Sequence, residues 1–147
     1  MTTRTGHCMC GAVGFTAPDA PDTFGVCHCE MCRRWTGSAF VNVAVPVGSV
    51  AWTGEAQIAT LQTSKWAERA WCRRCGSHLY WRMTEENDFS VTLDIPLGLF
   101  DDPSGFTMRS EIWIDEKPDS FAYVDQGHVK LTRAECVARF PRLEEGQ

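Results

Sequence analysis

Seven of the eight cysteines in this 147-residue chain fall into three short clusters. They are Cys8-Met9-Cys10, Cys27-His28-Cys29-Glu30-Met31-Cys32 and Cys72-Arg73-Arg74-Cys75. Cys-x-Cys and Cys-x-x-Cys spacings let a single turn aim two thiolates at one ion, so the clusters read as metal ligands. Seven ligands divide unevenly. Four close a tetrahedral site, and three leave one position open.

Composition bounds the alternatives. A chain of 147 residues can bury a core, and it reads as one domain over 1–147 with its motifs between about 6 and 125. A formal net charge of −5 argues against a surface that coats nucleic acid. The N-terminal residues carry no apolar signal segment, and the apolar run Ala39–Val50 is interrupted by Asn42 and Pro46 and too short to span a bilayer. These features lead us to expect a cytoplasmic protein with no membrane partner. In a reducing compartment, clustered cysteines serve metal ligation better than disulfides.

The patterning is mostly that of strands. Ala12–Thr16, Ala39–Val45, Val50–Thr53, Ala56–Gln62, His78–Met83, Phe89–Leu93 and Thr107–Ile114 are short β-rich runs, and Pro96–Gly105 is the longest candidate loop. Many short strands between turn signals predict a mainly β fold. One short C-terminal helix is expected, opened by the capping box Thr132-Arg133-Ala134-Glu135 and stopped by Pro141. A further helical turn is suggested around Glu30–Trp35.

The closed site is read as Cys8, Cys10, Cys72 and Cys75. Gly76 permits the left-handed turn that such a knuckle needs. Cys8 and Cys10, at i and i+2, would share one face of an extended strand. An ion held by both pairs would staple distant parts of the chain, and its binding free energy would become folding free energy. The open site is read as Cys27, Cys29 and Cys32, with His28 turned away from the ion by strand alternation. An open position can take water, hydroxide or a thiol, and a metal there favours the deprotonated form. The rival reading recruits Cys136 as a fourth ligand and makes the second site closed and inert. Its place on the apolar face of the C-terminal helix favours core packing instead.

Three motifs in order carry a resemblance: Gly6-His7-Cys8-Met9-Cys10-Gly11, then Cys27-His28-Cys29-Glu30-Met31-Cys32-Arg33-Arg34-Trp35-Thr36-Gly37, then Trp71-Cys72-Arg73-Arg74-Cys75-Gly76-Ser77. The chain resembles the glutathione-dependent formaldehyde-activating enzyme family, whose domain also occurs in a centromere-associated protein. The likeness covers about residues 6–83 well and 88–125 loosely, with Trp71 where the family usually has phenylalanine. It implies an Mss4-like fold of several coiled antiparallel β-sheets stapled by zinc. It also implies two zinc ions: a structural one on Cys8, Cys10, Cys72 and Cys75, and a catalytic one on Cys27, Cys29 and Cys32. The implied chemistry is that of a carbon–sulfur lyase, in which a small thiol such as glutathione and a small aldehyde such as formaldehyde form S-hydroxymethylglutathione.

On that reading Arg33 and Arg34 are candidates to hold substrate carboxylates. Trp35, Phe40 and Trp81 are candidate pocket walls, and His78 is a candidate acid or base. Two alternatives stand beside it: a zinc enzyme of the same fold using another small thiol or electrophile, and a non-catalytic zinc-stapled module that binds a protein partner.

Overall fold

In a computed structural model, residues Thr2–Glu145 are described. The chain runs through β1 (Thr2–His7), β2 (Gly14–Ala20), β3 (Thr23–Cys27), α1 (Glu30–Thr36), β4 (Phe40–Pro46), β5 (Ala51–Thr53) and β6 (Ile58–Gln62). It continues with β7 (Ala67–Cys72), β8 (His78–Met83), β9 (Thr92–Pro96), β10 (Thr107–Ile112), β11 (Val129–Leu131) and α2 (Arg133–Arg139). The mainly β expectation is borne out. Three strands form a small antiparallel sheet in the order β1-β2-β5, and the other eight form a sheet in the order β11-β10-β3-β4-β9-β8-β7-β6.

Three details differ from the sequence expectation. The large sheet is mixed, because β10 runs parallel to both β3 and β11. Two α-helices form instead of one, since the segment after Cys29 completes a seven-residue helix. The predicted strand Phe89–Leu93 begins later, at Thr92, because Asn87 turns the chain: its Oδ1 accepts from the Phe89 amide at 2.7 Å. The capping box of α2 forms as read, with the Thr132 hydroxyl accepting from the Glu135 amide at 3.2 Å.

Strand alternation gives the large sheet two different faces. Val43, Val45, Leu93 and Ile95 point to one side and pack against Phe15, Ala17 and Ala20 of the small sheet. Val43, Val45 and Ile95 are fully covered, and each such side chain contributes about 1.5–3 kcal/mol. The opposite side carries Cys27, Phe40 and Trp81, which are covered by Cys29 and Cys32 at the start of α1, by Trp113, and by Cys136 of α2. Among the described residues, no helix is long and apolar enough to cross a membrane.

Candidate metal centres

The first centre grows from two tight turns. β1 ends at His7, and the Gly11 amide donates to the Cys8 carbonyl at 3.0 Å, with Gly11 at φ 79°. The extended-strand geometry expected for Cys8 and Cys10 is therefore replaced by a turn that folds the two thiols together. Cys72 ends β7, and the Gly76 amide closes the same kind of turn on the Cys72 carbonyl at 2.8 Å, with Gly76 at φ 80°. A β-carbon on either glycine would strain this left-handed backbone. The Met9 amide donates to the Ser77 hydroxyl at 3.0 Å and ties one turn to the other.

All four sulfurs of Cys8, Cys10, Cys72 and Cys75 lie within 4.8 Å of one another. Cys8 Sγ is 3.6 Å from Cys10 Sγ, which is 3.8 Å from Cys72 Sγ. A tetrahedron of 2.3 Å metal–sulfur bonds has edges of about 3.8 Å, so the donor set fits a thiophilic ion. The Ser77 hydroxyl, 3.2 Å from Cys75 Sγ, leads the effects that lower that thiol to about 5. Because β1 belongs to the small sheet and β7 to the large one, an ion here would clamp the two sheets together.

The second centre sits where β3 meets α1. Cys27 is the last residue of β3, and Cys29 is the N-cap of α1, its sulfur accepting from the Cys32 amide at 3.4 Å. The sulfurs of Cys27, Cys29 and Cys32 lie within 4.8 Å of one another, and all three residues are buried. Cys29 is pulled down to about 3 by hydrogen bonds from the Cys27 and Cys32 thiols, helped by the Cys32 amide and the Arg69 charge and opposed by burial. The Cys27 thiol is pushed up by its hydrogen bonds to Cys29 and Cys32 and by burial. With only protons to neutralise it, the triplet thus concentrates its negative charge on Cys29. A divalent cation at its centre would let all three sulfurs ionise.

The other residues raised from sequence divide clearly. The His28 ring points away from the sulfurs, as alternation required, and its Nε2 lies 2.8 Å from Glu111 Oε1. Cys136 is buried in the same cluster of side chains but stands outside the group of three close sulfurs. Arg33 and Arg34 occupy the last turn of α1, where Arg34 is exposed and pairs with Glu30 at 2.9 Å. His78 stacks on Trp35 with ring centroids 4.2 Å apart, and burial lowers its imidazole pKa.

A cavity of about 150 Å³ opens against Cys27, Cys29 and Cys32. Met31, Phe40, Trp66, Trp81 and Trp113 supply much of its wall; Phe40 and Trp81 were anticipated, while Arg33, Arg34, Trp35 and His78 are not among its lining residues. Several polar residues in it were not read from sequence, among them Arg69 and Asp94. Arg69 is buried, with its Nη2 3.6 Å from Cys32 Sγ and its guanidinium 4.7 Å from the centre of the Trp35 ring. Asp94 faces the same cavity. Cross-strand register places Asp94 opposite Trp81 and Trp81 opposite Arg69, so the three share one face of the sheet. In the sequence, Asp94 between Leu93 and Ile95 has the alternation of a solvent-facing strand residue, and no motif marks it.

Asp94 is half-buried and lines two adjoining cavities, and desolvation by the surrounding protein raises its carboxyl from 3.8 to about 6, against the favourable charges of Arg109 and Arg69. The folded state therefore binds more protons than the unfolded chain between these values, and stability falls as pH rises through that window. Asp94→Asn is expected to stabilise the protein by about 2–3 kcal/mol at pH 8, a gain that shrinks by roughly half at pH 5. Urea unfolding at the two pH values checks this, and a gain independent of pH would contradict it.

The fold and site define a mainly β protein whose four-thiol and three-thiol clusters could each hold a metal ion. Residues 3–116 match the glutathione-dependent formaldehyde-activating enzyme family, and the chain belongs to that family. It is 28% identical over 122 residues to an uncharacterised lyase of Schizosaccharomyces pombe, covering 82% of this chain and 85% of that protein. A crystal structure of a Rhodobacter sphaeroides protein shares the fold with a TM-score of 0.53 and 17% identity, covering 87% of this chain and 99% of that one.

Proposed function

We propose that this protein is a zinc-dependent lyase-type enzyme that makes or breaks the carbon–sulfur bond between a low-molecular-weight thiol, such as glutathione, and formaldehyde or a related small aldehyde. One observation carries this reading. Three clustered thiols, with no fourth cysteine, histidine or carboxylate beside them among the described residues, face a cavity walled by aromatic side chains. Family membership and the lyase named among its relatives support the reaction class.

Cys27, Cys29 and Cys32 would hold the ion at this centre, and Cys8, Cys10, Cys72 and Cys75 would hold a structural one. Zinc bound by the triplet would lower the pKa of a thiol at its open position and polarise a carbonyl. Arg69 donates toward Cys32 Sγ, and its charge favours the ionised form of that sulfur against the opposing effects of Cys29 and burial. Trp66, Trp81 and Trp113 restrict water around the reacting carbon. Arg33 and Arg34 remain candidates for substrate carboxylates at the outer surface. The eight free thiols suit a reducing cytoplasm.

A second cavity of about 600 Å³ shares Trp81, Asp94, Arg109 and Ile112 with the first and extends past Phe89, Val91 and Val129. Its volume and apolar walls favour the variant of this reading in which the electrophile is larger than formaldehyde.

The test follows exchange between glutathione and its formaldehyde adduct by two-dimensional NMR with zinc-loaded protein. The expected result is exchange faster than the spontaneous reaction, abolished by Cys29→Ser. Uncatalysed rates with formaldehyde and with a larger aldehyde, at two zinc ions per chain, would remove the proposal.

A further inference from the structure

The cavity beside the three-thiol centre holds a carboxylate that no structural role accounts for. Asp94 stands between Ala44 on β4 and Trp81 on β8, on the face that carries Arg69 and looks toward the three cysteines. Among the described residues, its oxygens accept no hydrogen bond and form no salt bridge. Arg109 and Arg69 act on it through charge alone. The other charged groups near it, Asp88 and Arg139, line the adjoining cavity. A half-buried carboxylate that faces a cavity and keeps no protein partner is free to exchange protons with whatever occupies that cavity, and such groups cluster where chemistry uses them.

We propose that Asp94 is the proton-transfer residue of the carbon–sulfur reaction, an assignment that rests on the thiol–aldehyde reading above. The Asp94 carboxylate takes the proton from the incoming thiol. The sulfur lone pair then forms the S–C bond, and the carbonyl π pair moves onto oxygen. The resulting alkoxide takes the proton back from Asp94, which ends ionised, as it began. Cleavage runs through the same steps in reverse: Asp94 removes the hydroxyl proton, the C–S bond breaks, and the leaving sulfur receives the proton. No oxidant or further reactant is needed. The location suits the task, since β3 and the start of α1 bring the sulfurs, and β9 brings the carboxylate, to a single small volume. Burial holds the carboxyl at about 6, where it can both accept and donate near neutral pH.

The experiment uses zinc-loaded full-length protein and the same NMR exchange assay, with wild type, Asp94→Asn and Asp94→Glu compared from pH 5 to pH 8. Asp94→Asn is expected to slow catalysed exchange by about 100-fold while leaving glutathione affinity and zinc content unchanged. It should also erase the fall in rate that wild type shows as pH drops through about 6. Asp94→Glu should recover part of the rate. Carbon-13 NMR of labelled aspartate gives a readout independent of turnover: one carboxyl is expected to titrate near 6 and to be missing in Asp94→Asn. Retention of more than a third of the rate by Asp94→Asn, or titration of that carboxyl below about 4.5, overturns this inference alone. Wild type without acceleration overturns the thiol–aldehyde reading and this assignment with it.

Discussion

With zinc at both centres as proposed, Cys8→Ser is expected to release one of the two ions and to unfold the protein at temperatures where wild type is folded. The four sulfurs that include Cys8 join the turn after β1 to the turn between β7 and β8, and thus the small sheet to the large one. Besides the Met9–Ser77 hydrogen bond, these turns are joined by packing of Cys8 and Val13 against Ala70, Cys72 and Leu79. Structural zinc on thiolates carries an apparent binding free energy of about 10–16 kcal/mol, as large as the entire stability of an ordinary domain. Serine removes a thiolate and leaves an uncharged oxygen too weak to replace it. Metal content by mass spectrometry and thermal unfolding by circular dichroism check the result. Cys29→Ser should lose the other ion yet unfold within several degrees of wild type, because that centre joins β3 to the helix that directly follows it and does not bridge the two sheets. Two ions retained by Cys8→Ser would contradict the assignment of the closed centre.

Glu111→Ala has the second largest expected effect, a destabilisation of about 3–5 kcal/mol. Glu111 lies on β10 and is buried. One carboxylate oxygen is 2.8 Å from His28 Nε2 on the chain between Cys27 and Cys29, and the other is 2.6 Å from His128 Nε2 just before β11. The three side chains thereby bolt the parallel strands β3, β10 and β11 together. Alanine leaves two buried imidazoles without their partner, and that loss dominates the cost. Burial opposes the Glu111 charge, but hydrogen bonds from His28 and His128 more than offset it and hold the carboxyl below its ordinary value of 4.5. Its contribution is therefore complete above that value and is lost as pH falls through the depressed one. Urea unfolding at pH 7 should show the full difference and at pH 4 a smaller one. A difference below about 1 kcal/mol at pH 7 would refute the bolt.

Opposite pH dependences thus separate a buried and a half-buried acid on one sheet. Glu111 is satisfied by two imidazoles and stabilises the fold as pH rises. Asp94 has no protein partner among the described residues, and its ionisation costs stability as pH rises. The contrast fits a structural role for the first and a chemical one for the second.

Much of the centre was legible because ligand spacing is a local property. A turn of three or four residues brings Cys27, Cys29 and Cys32 together whatever the rest of the chain does, and the same holds for each pair at the closed centre. Gly11 and Gly76 mark those turns, and Thr132 with Glu135 marks the start of α2. Strands were legible where apolar alternation was strong, as in β4 and β8. They were missed where polar residues dominate, as in β1 (Thr-Thr-Arg-Thr-Gly-His), which holds its place by pairing with β2.

The amino-acid sequence by itself determined how seven cysteines divide into four and three, and that His28 turns away from its neighbours, because covalent reach and strand alternation act over a few residues. The tertiary structure alone decided that Cys136 stays outside the triplet, that Arg69 comes to rest on Cys32, and that Asp94 lines the cavity beside the triplet. Those outcomes depend on which layer covers which face of the large sheet. That choice is made by contacts between residues far apart in the chain, so no local pattern encodes it.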